Sequence, residues 1–260
     1  MGVMELSTAR KVHAQDWAKA RLDASPRHHE YVKVQSGART INTFVAYPEV
    51  KDKAPVIVLI HEIYGASDWA KEMADDFAAQ GYIAVLPDLI SGMGPHGGGT
   101  EEFASQSDVT PLVSKLDDGQ VMADLNAAAD VALKFPAANG KLYVAGFCWG
   151  GGKSFNFATH RKGLSAAFVF YGTPPPAADM AKITAPVYGF YAGSDARVSA
   201  TVPQAKIDMA AAGKKYEAVI YDGAMHGFMR AGEQPDATAP NKAARDQGFA
   251  KVLEVMKSGK

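Results

Sequence analysis

The sequence is poor in three features that would narrow its class at once, namely cysteine, net charge and long apolar runs. Its 260 residues include one cysteine, which excludes an intrachain disulfide. The formal charge of -1 gives no electrostatic reason to bind nucleic acid or an anionic membrane. The longest apolar runs, such as residues 56–60, are far shorter than the ~20 residues that cross a bilayer. We therefore expect no nucleic-acid partner and no membrane partner.

The first residues contain no apolar segment of the kind found in a secretory signal peptide. Its absence favours a cytoplasmic location. Export of a precursor stays open as the alternative, because the stretch from Val12 to Gln15 is similar to the small-residue end of a cleaved signal. The composition does not separate a monomer from a small homo-oligomer.

Apolar segments alternate with amphipathic ones from about residue 29 onward. The apolar segments are predicted strands and lie at residues 31–34, 40–47, 55–61, 82–86, 142–147, 166–171, 186–191 and 216–221. Helices are predicted at about residues 69–80, 118–135, 203–213 and 242–256, and a turn at Asn139-Gly140. This alternation predicts an α/β fold with a mainly parallel sheet flanked by helices on both faces. We assign residues 29–260 to one domain and residues 1–28 to an N-terminal extension with a short helix near residues 15–22.

Residues 146–150 read Gly-Phe-Cys-Trp-Gly and follow directly on an apolar strand. This is the glycine-x-nucleophile-x-glycine pattern of a nucleophile elbow, with cysteine where serine is commoner. The sharp turn from strand to helix needs the glycines, since side chains two residues from the nucleophile would collide. The pattern indicates an α/β-hydrolase fold with Cys148 as nucleophile. The alternative is that Cys148 is an inert buried cysteine.

The start of the following helix gives two further expectations for Cys148. A helix N-terminus favours a thiolate and presents free backbone amides. The amide of Trp149 is therefore a candidate oxyanion donor, and we predict that the second donor comes from Ile63, in the loop after the strand at residues 55–61.

An acid and a histidine follow Cys148 in the order that α/β-hydrolases use. Asp195 ends one apolar strand, and His226 lies in the loop after the last one. We predict that His226 exchanges a proton with Cys148 and that Asp195 orients the imidazole. Asp222 is a competing acid, but it lies too near His226 in the chain. Asp195 as a plain turn or helix-cap residue is the other alternative.

With these residues assembled, the chain resembles the dienelactone hydrolase family from about Pro26 to Met256. The matching segments are His61-Glu62-Ile63-Tyr64-Gly65, Pro87-Asp88-Leu89, Gly146-Phe147-Cys148-Trp149-Gly150-Gly151, Gly193-Ser194-Asp195 and His226-Gly227-Phe228. The resemblance implies one α/β-hydrolase domain that cleaves an ester or lactone through an acyl-cysteine. It also implies that Glu62 holds the resting thiol until substrate binds.

The resemblance extends unevenly to the substrate pocket. The family binds a substrate carboxylate with two arginines, of which one matches Arg230 and the other has no counterpart in residues 90–96. Dienelactone itself is therefore in doubt as the substrate, although the acyl chemistry is unaffected. Three aromatic residues at strand ends are further substrate-binding candidates: Tyr64, Tyr171 and Phe228. The alternative is that they are plain core residues.

The leading hypothesis is thus a carboxylic ester hydrolase whose partner is a small-molecule ester or lactone. A general carboxylesterase or thioesterase is the alternative within enzymes, and a non-catalytic binding or thiol-sensing protein of the same fold is the alternative outside them. We expect no cofactor. We also expect no metal, because no two histidines have the spacing of a helical zinc site and no second cysteine exists.

Overall fold

The computed structural model describes residues 15–259. The predicted N-terminal extension is thus described only from Gln15 onward, and residues 12–14 of the signal-like stretch lie outside the described residues. Within the described part of the chain, no helix combines the length and the apolar content that crossing a bilayer requires.

Eight strands form one mixed sheet in the order β1-β2-β4-β3-β5-β6-β7-β8. Their bounds are β1 His29–Ser36, β2 Arg39–Ala46, β3 Ala54–Ile60, β4 Ile83–Pro87, β5 Ala138–Phe147, β6 Leu164–Phe170, β7 Val187–Ala192 and β8 Tyr216–Tyr221. β2 pairs antiparallel with both β1 and β4, and every pair from β4 to β8 is parallel. The predicted mainly parallel sheet is confirmed.

The helices cover both faces of this sheet. They are α1 Asp16–Asp23, α2 Asp68–Ala79, α3 Gln106–Ser114, α4 Asp118–Ala132, α5 Trp149–His160, α6 Ala177–Met180, α7 Ala196–Ser199, α8 Val202–Ala211, α9 Phe228–Ala231 and α10 Ala239–Ser258, with a 3-10 turn at Thr100–Glu102. In β3 the residues alternate between two cores, so that Ile57 and Leu59 pack with α2 and α10, whereas Val56 and Val58 pack with α4, α5 and α8. A strand covered on both faces needs the continuous apolar run that predicted β3.

Helix α1 packs on α2. The buried Ala18 belongs to the core of that face, and the Gln15 side chain accepts a hydrogen bond from the backbone amide of Trp69 at 2.9 Å. Helix α1 lies where the sequence predicts a short helix, near residues 15–22.

Two details differ from the predictions. Asn139 and Gly140 lie within β5 rather than in a turn before it, at a point where the β3–β5 register shifts. The left-handed backbone of Gly140, with φ of 89°, produces a local irregularity without ending the strand. Helix α3 was not predicted, because Pro111 and the polar residues around it obscure its short apolar stripe, Val109 and Val113.

Candidate active site

The turn between β5 and α5 holds Cys148 in a strained backbone conformation. Cys148 has φ 58° and ψ -119°, in a backbone region that residues other than glycine rarely adopt. A Cβ atom at Gly146 would clash with the carbonyl of Gly150, and one at Gly150 would clash with the carbonyl of Ile60. The elbow therefore needs both glycines, as the sequence pattern predicted.

The predicted triad residues lie in hydrogen-bond contact. His226 Nε2 is 3.0 Å from the Cys148 sulfur, and His226 Nδ1 is 2.6 Å from Oδ2 of Asp195. The other carboxylate oxygen of Asp195 accepts a hydrogen bond from the amide of Val198 at 3.3 Å, so this residue also caps α7. Asp222, the competing acid, is exposed to solvent.

Topology explains why residues so far apart in the chain meet. Cys148 directly follows β5, Asp195 follows β7 and His226 follows β8. These strands are parallel members of one sheet, and their carboxyl ends therefore lie along the same edge.

The thiol of Cys148 is harder to ionise than the sequence predicts. Burial and the nearby Glu62 carboxylate raise its pKa to about 11, which outweighs the favourable effect of the helix start. The predicted preference for a free thiolate is therefore wrong for this arrangement, since the sequence showed the helix N-terminus but not the degree of burial. At neutral pH the thiol keeps its proton until a base removes it.

Both predicted oxyanion donors face the nucleophile. The backbone amides of Trp149 and Ile63 both lower the pKa of the Cys148 thiol. The indole ring of Trp149 stacks on the buried His61 with centroids 5.6 Å apart, and His61 Nδ1 lies 2.7 Å from the carbonyl oxygen of Glu62. This packing fixes the backbone on both sides of the sulfur.

Glu62 pairs with Arg230 rather than with the thiol. Arg230 Nε donates to Oε2 of Glu62 at 2.7 Å, and the Glu62 side chain is only 3% exposed. The Arg230 guanidinium also lies over the ring of Tyr64, 5.3 Å from its centroid. No hydrogen bond joins Glu62 to Cys148 among residues 15–259. The arrangement thus differs from the thiol-holding role that the resemblance implies for Glu62.

A cavity of about 420 Å³ opens above the sulfur. Residues from six segments line it: Ile63, Asp118, Cys148, Trp149, Gly152, Lys153, Asn156, Tyr171, Thr173, Pro174, Pro175, Pro176, Arg197, Val198 and His226. Of the predicted substrate-binding residues, Tyr171 is in this lining, and its ring lies 5.0 Å from that of His226. Tyr64, Phe228 and Arg230 are not. Phe228 is fully buried in the core beneath Tyr171.

Comparison with known proteins agrees with this geometry. The family model described as the dienelactone hydrolase family matches residues 41–259. The chain belongs to the dienelactone hydrolase family. Membership places it among the carboxylic ester hydrolases and confirms the α/β-hydrolase fold.

Individual relatives show how close this membership is. The chain is 31% identical over 228 residues to a provisionally named carboxymethylenebutenolidase of Salmonella typhi, covering 81% of this chain and 80% of that protein. It is 33% identical over 149 residues to the carboxymethylenebutenolidase of Pseudomonas putida, covering 55% of this chain and 61% of that protein. Among solved structures, a provisionally named dienelactone hydrolase from Klebsiella pneumoniae superposes with a TM-score of 0.76 at 25% identity, covering 88% of this chain and 98% of that one.

Two cations in the cavity of this family member were not predicted from the sequence. Arg197 lies two residues after Asp195 and Lys153 five residues after Cys148, so each belongs to a segment that the motifs had already marked. Their closeness in the chain to the motif residues was the signal that could have identified them.

Three carboxylates converge outside this cavity. Glu72 and Asp76 of α2 and Glu233 after α9 have oxygens within 4.8 Å of one another, a spacing that could hold a metal ion. Protein cations already pair with all three: Arg245 bonds Glu233 and Asp76, and Arg21 lies 3.3 Å from Glu72. Arg245 thus compensates the Asp76 and Glu233 carboxylates, and burial raises the pKa of Glu72 to about 9.

Proposed function

We propose that this protein cleaves small carboxylic esters or lactones through an acyl-cysteine intermediate formed on Cys148. The observation that carries the proposal is the continuous hydrogen-bonded chain from Asp195 through His226 to the sulfur, with distances of 2.6 and 3.0 Å. A nucleophile, a base in contact with it and an orienting acid are the parts that acyl transfer needs.

In the acylation step, His226 Nε2 takes the thiol proton as the Cys148 sulfur attacks the substrate carbonyl carbon. The carbonyl oxygen gains the negative charge and accepts hydrogen bonds from the amides of Trp149 and Ile63. When the tetrahedral intermediate collapses, the carbon–oxygen bond of the ester breaks. The leaving oxygen then takes the proton from His226, which gives an alcohol and a thioester.

In the deacylation step, water replaces the alcohol next to His226. The imidazole takes one proton from the water, whose oxygen attacks the thioester carbonyl, and the proton returns to the departing sulfur. The carboxylic acid leaves and the thiol is restored. Asp195 stabilises the imidazolium formed in each half of the cycle and keeps Nε2 directed at the sulfur.

A general carboxylesterase is the second candidate, and one observation favours it. Arg230, the residue expected to bind a lactone carboxylate, is occupied by Glu62 and lies outside the cavity lining. An enzyme without the family's paired arginines has less reason to be restricted to dienelactone.

Turnover of a carboxylated unsaturated lactone and of a simple aryl acetate tests both candidates. The proposal predicts hydrolysis of at least one substrate by the wild type and loss of nearly all activity in Cys148→Ala. A rate for the lactone well above that for the acetate supports a dedicated lactonase, and the reverse supports a general esterase. No activity on either class would leave a binding or thiol-sensing role, whereas full activity in Cys148→Ala would remove Cys148 from the mechanism.

A further inference from the structure

The two cations in the cavity lining differ in whether a carboxylate neutralises them. Lys153 forms an ion pair with Asp118, which lines the same cavity, and its ammonium lies 5.1 Å from the centroid of the Trp149 ring. Arg197 is exposed in the cavity wall and forms no ion pair or side-chain hydrogen bond within the described residues. The cavity therefore has one uncompensated positive charge, and Arg197 carries it.

Arg230 is in a different situation. Its guanidinium is held by the buried carboxylate of Glu62 and by the face of the Tyr64 ring. A substrate carboxylate at Arg230 would have to compete with Glu62 for the guanidinium, and Arg230 is not in the cavity lining. Arg197 has no competing carboxylate among the described residues, so a substrate carboxylate has to displace only water from its guanidinium.

The position of Arg197 is tied to the triad. Asp195 caps α7 by accepting the amide of Val198, so the turn that directs one carboxylate oxygen at His226 also directs the next residues along the cavity. The positive charge of Arg197 acts on the sulfur as well, since it lowers the pKa of Cys148. Arg197 thus lies within electrostatic range of the reacting carbonyl.

Part of the remaining wall is apolar. Ile63, Val198 and the three consecutive prolines 174–176 line the same cavity, together with the polar Asn156 and Thr173. A bound molecule with an apolar body and an acidic end would match this distribution of surface and charge.

We propose that Arg197 binds a carboxylate carried by the substrate and makes the enzyme select anionic esters or lactones over neutral ones. This inference rests on the ester hydrolysis proposed above and adds the residue that determines specificity. A guanidinium suits the task because its fork of donors can bind both carboxylate oxygens.

The test compares kcat/KM for anionic and neutral esters of matched shape. One pair carries the charge on the leaving group, para-acetoxybenzoate against para-acetoxybenzamide. The other carries it on the acyl chain, the mono-para-nitrophenyl ester of adipate against para-nitrophenyl hexanoate. The measured quantity is the anionic-to-neutral ratio, because any effect of Arg197 on the Cys148 pKa acts on both members of a pair and cancels.

In Arg197→Gln we expect this ratio to fall about tenfold for at least one pair. Arg197→Lys should keep part of the preference. Lys251→Gln, which removes a partly exposed cation on α10, is the matched control and should leave the ratio unchanged. In the wild type, added salt should lower the ratio, since an exposed charge is screened within a Debye length of about 10 Å at 0.1 M.

An unchanged ratio in Arg197→Gln overturns the inference while leaving ester hydrolysis intact. Loss of the preference in Arg230→Gln together with its retention in Arg197→Gln would assign carboxylate binding to Arg230 instead. Absence of turnover for all four esters in the wild type would be a failure of the proposed function, which is a separate outcome.

Discussion

The buried Glu62 and the partly exposed Arg230 form an ion pair near the candidate nucleophile, with Arg230 Nε 2.7 Å from Oε2 of Glu62. The pair satisfies both charges, yet the Glu62 carboxylate still acts on the thiol. Burial is the larger cause of the high pKa of Cys148, and Glu62 adds to it. This relationship accounts for a nucleophile that stays protonated at neutral pH until His226 accepts its proton.

Replacing Glu62 with glutamine should make the thiol easier to ionise. The substitution removes a negative charge near the sulfur and leaves Arg230 uncompensated, and both changes favour the thiolate. We expect the pKa of Cys148 to fall by about one unit from its wild-type value. The measurement is the rate of alkylation by iodoacetamide as a function of pH.

Glu254→Gln, which removes an exposed carboxylate on α10, is the control and should not shift the alkylation profile. A Glu62→Gln profile at the same or higher pH than wild type would show that the carboxylate does not act on the thiol.

Asp195→Asn should lower kcat by ~10³-fold or more, because an amide cannot stabilise the imidazolium or hold the same tautomer. Asp222→Asn provides the comparison, since Asp222 is exposed and four residues from His226. Steady-state rates on an aryl acetate measure both. A mild effect in Asp195→Asn with a severe one in Asp222→Asn would show that Asp222, and not Asp195, is the acid of the triad.

Gly150→Ala should destabilise the fold. Its Cβ would meet the backbone carbonyl oxygens of Ile60 and His61, neither of which can move without distorting β3. We expect a loss of about 1–3 kcal/mol in the free energy of unfolding. Denaturant titration gives this value.

Gly152→Ala is a matched control on the same helix. Its Cβ would lie 3.4 Å from the nearest atoms of Thr173, an ordinary contact, and alanine favours the helix by roughly 0.5–1 kcal/mol over glycine. Equal destabilisation in the two variants would contradict the steric explanation of the elbow.

Glu72→Gln should stabilise the protein increasingly as the pH rises. Burial, together with the Glu233 and Asp76 carboxylates, raises the pKa of Glu72 from 4.5 to about 9. The folded protein therefore holds a proton that the unfolded chain releases, and its stability falls as the pH rises between those values. A neutral amide in place of the acid removes this loss.

We expect the stability of Glu72→Gln relative to wild type to grow by more than about 1 kcal/mol between pH 5 and pH 8, measured by denaturant titration. Glu217→Gln on β8, where the carboxylate is exposed, should show no such trend. A difference that is constant with pH would mean that Glu72 is ionised in the folded state.

The sequence was sufficient to predict the neighbours Cys148, Asp195 and His226, because each follows an apolar strand and parallel strands bring their carboxyl ends to one edge. Ile63 and Trp149 were predictable for the same reason. Each of these inferences uses only local pattern and chain order.

Contacts between side chains outside these motifs, on different elements, could not be predicted from the sequence. Glu62 and Arg230 are 168 residues apart, and nothing local indicates that they pair. Phe228 is an aromatic residue of the kind that lines pockets, but it packs in the core. The direction of its side chain depends on how α9 lies against Tyr171. The protonation of Cys148 likewise depends on burial, which a motif does not contain.

The acyl-cysteine mechanism is tested most directly by whether an acyl group forms on the Cys148 sulfur during turnover. Wild-type protein is mixed with an aryl acetate, quenched in acid within the first turnovers, digested and examined by mass spectrometry. This mechanism predicts an acetyl group on the peptide that contains Cys148, which rises before steady state and disappears when substrate is exhausted. In Cys148→Ala it predicts no labelling and no turnover. Rapid hydrolysis with Cys148 unlabelled, or with undiminished activity in Cys148→Ala, would contradict it.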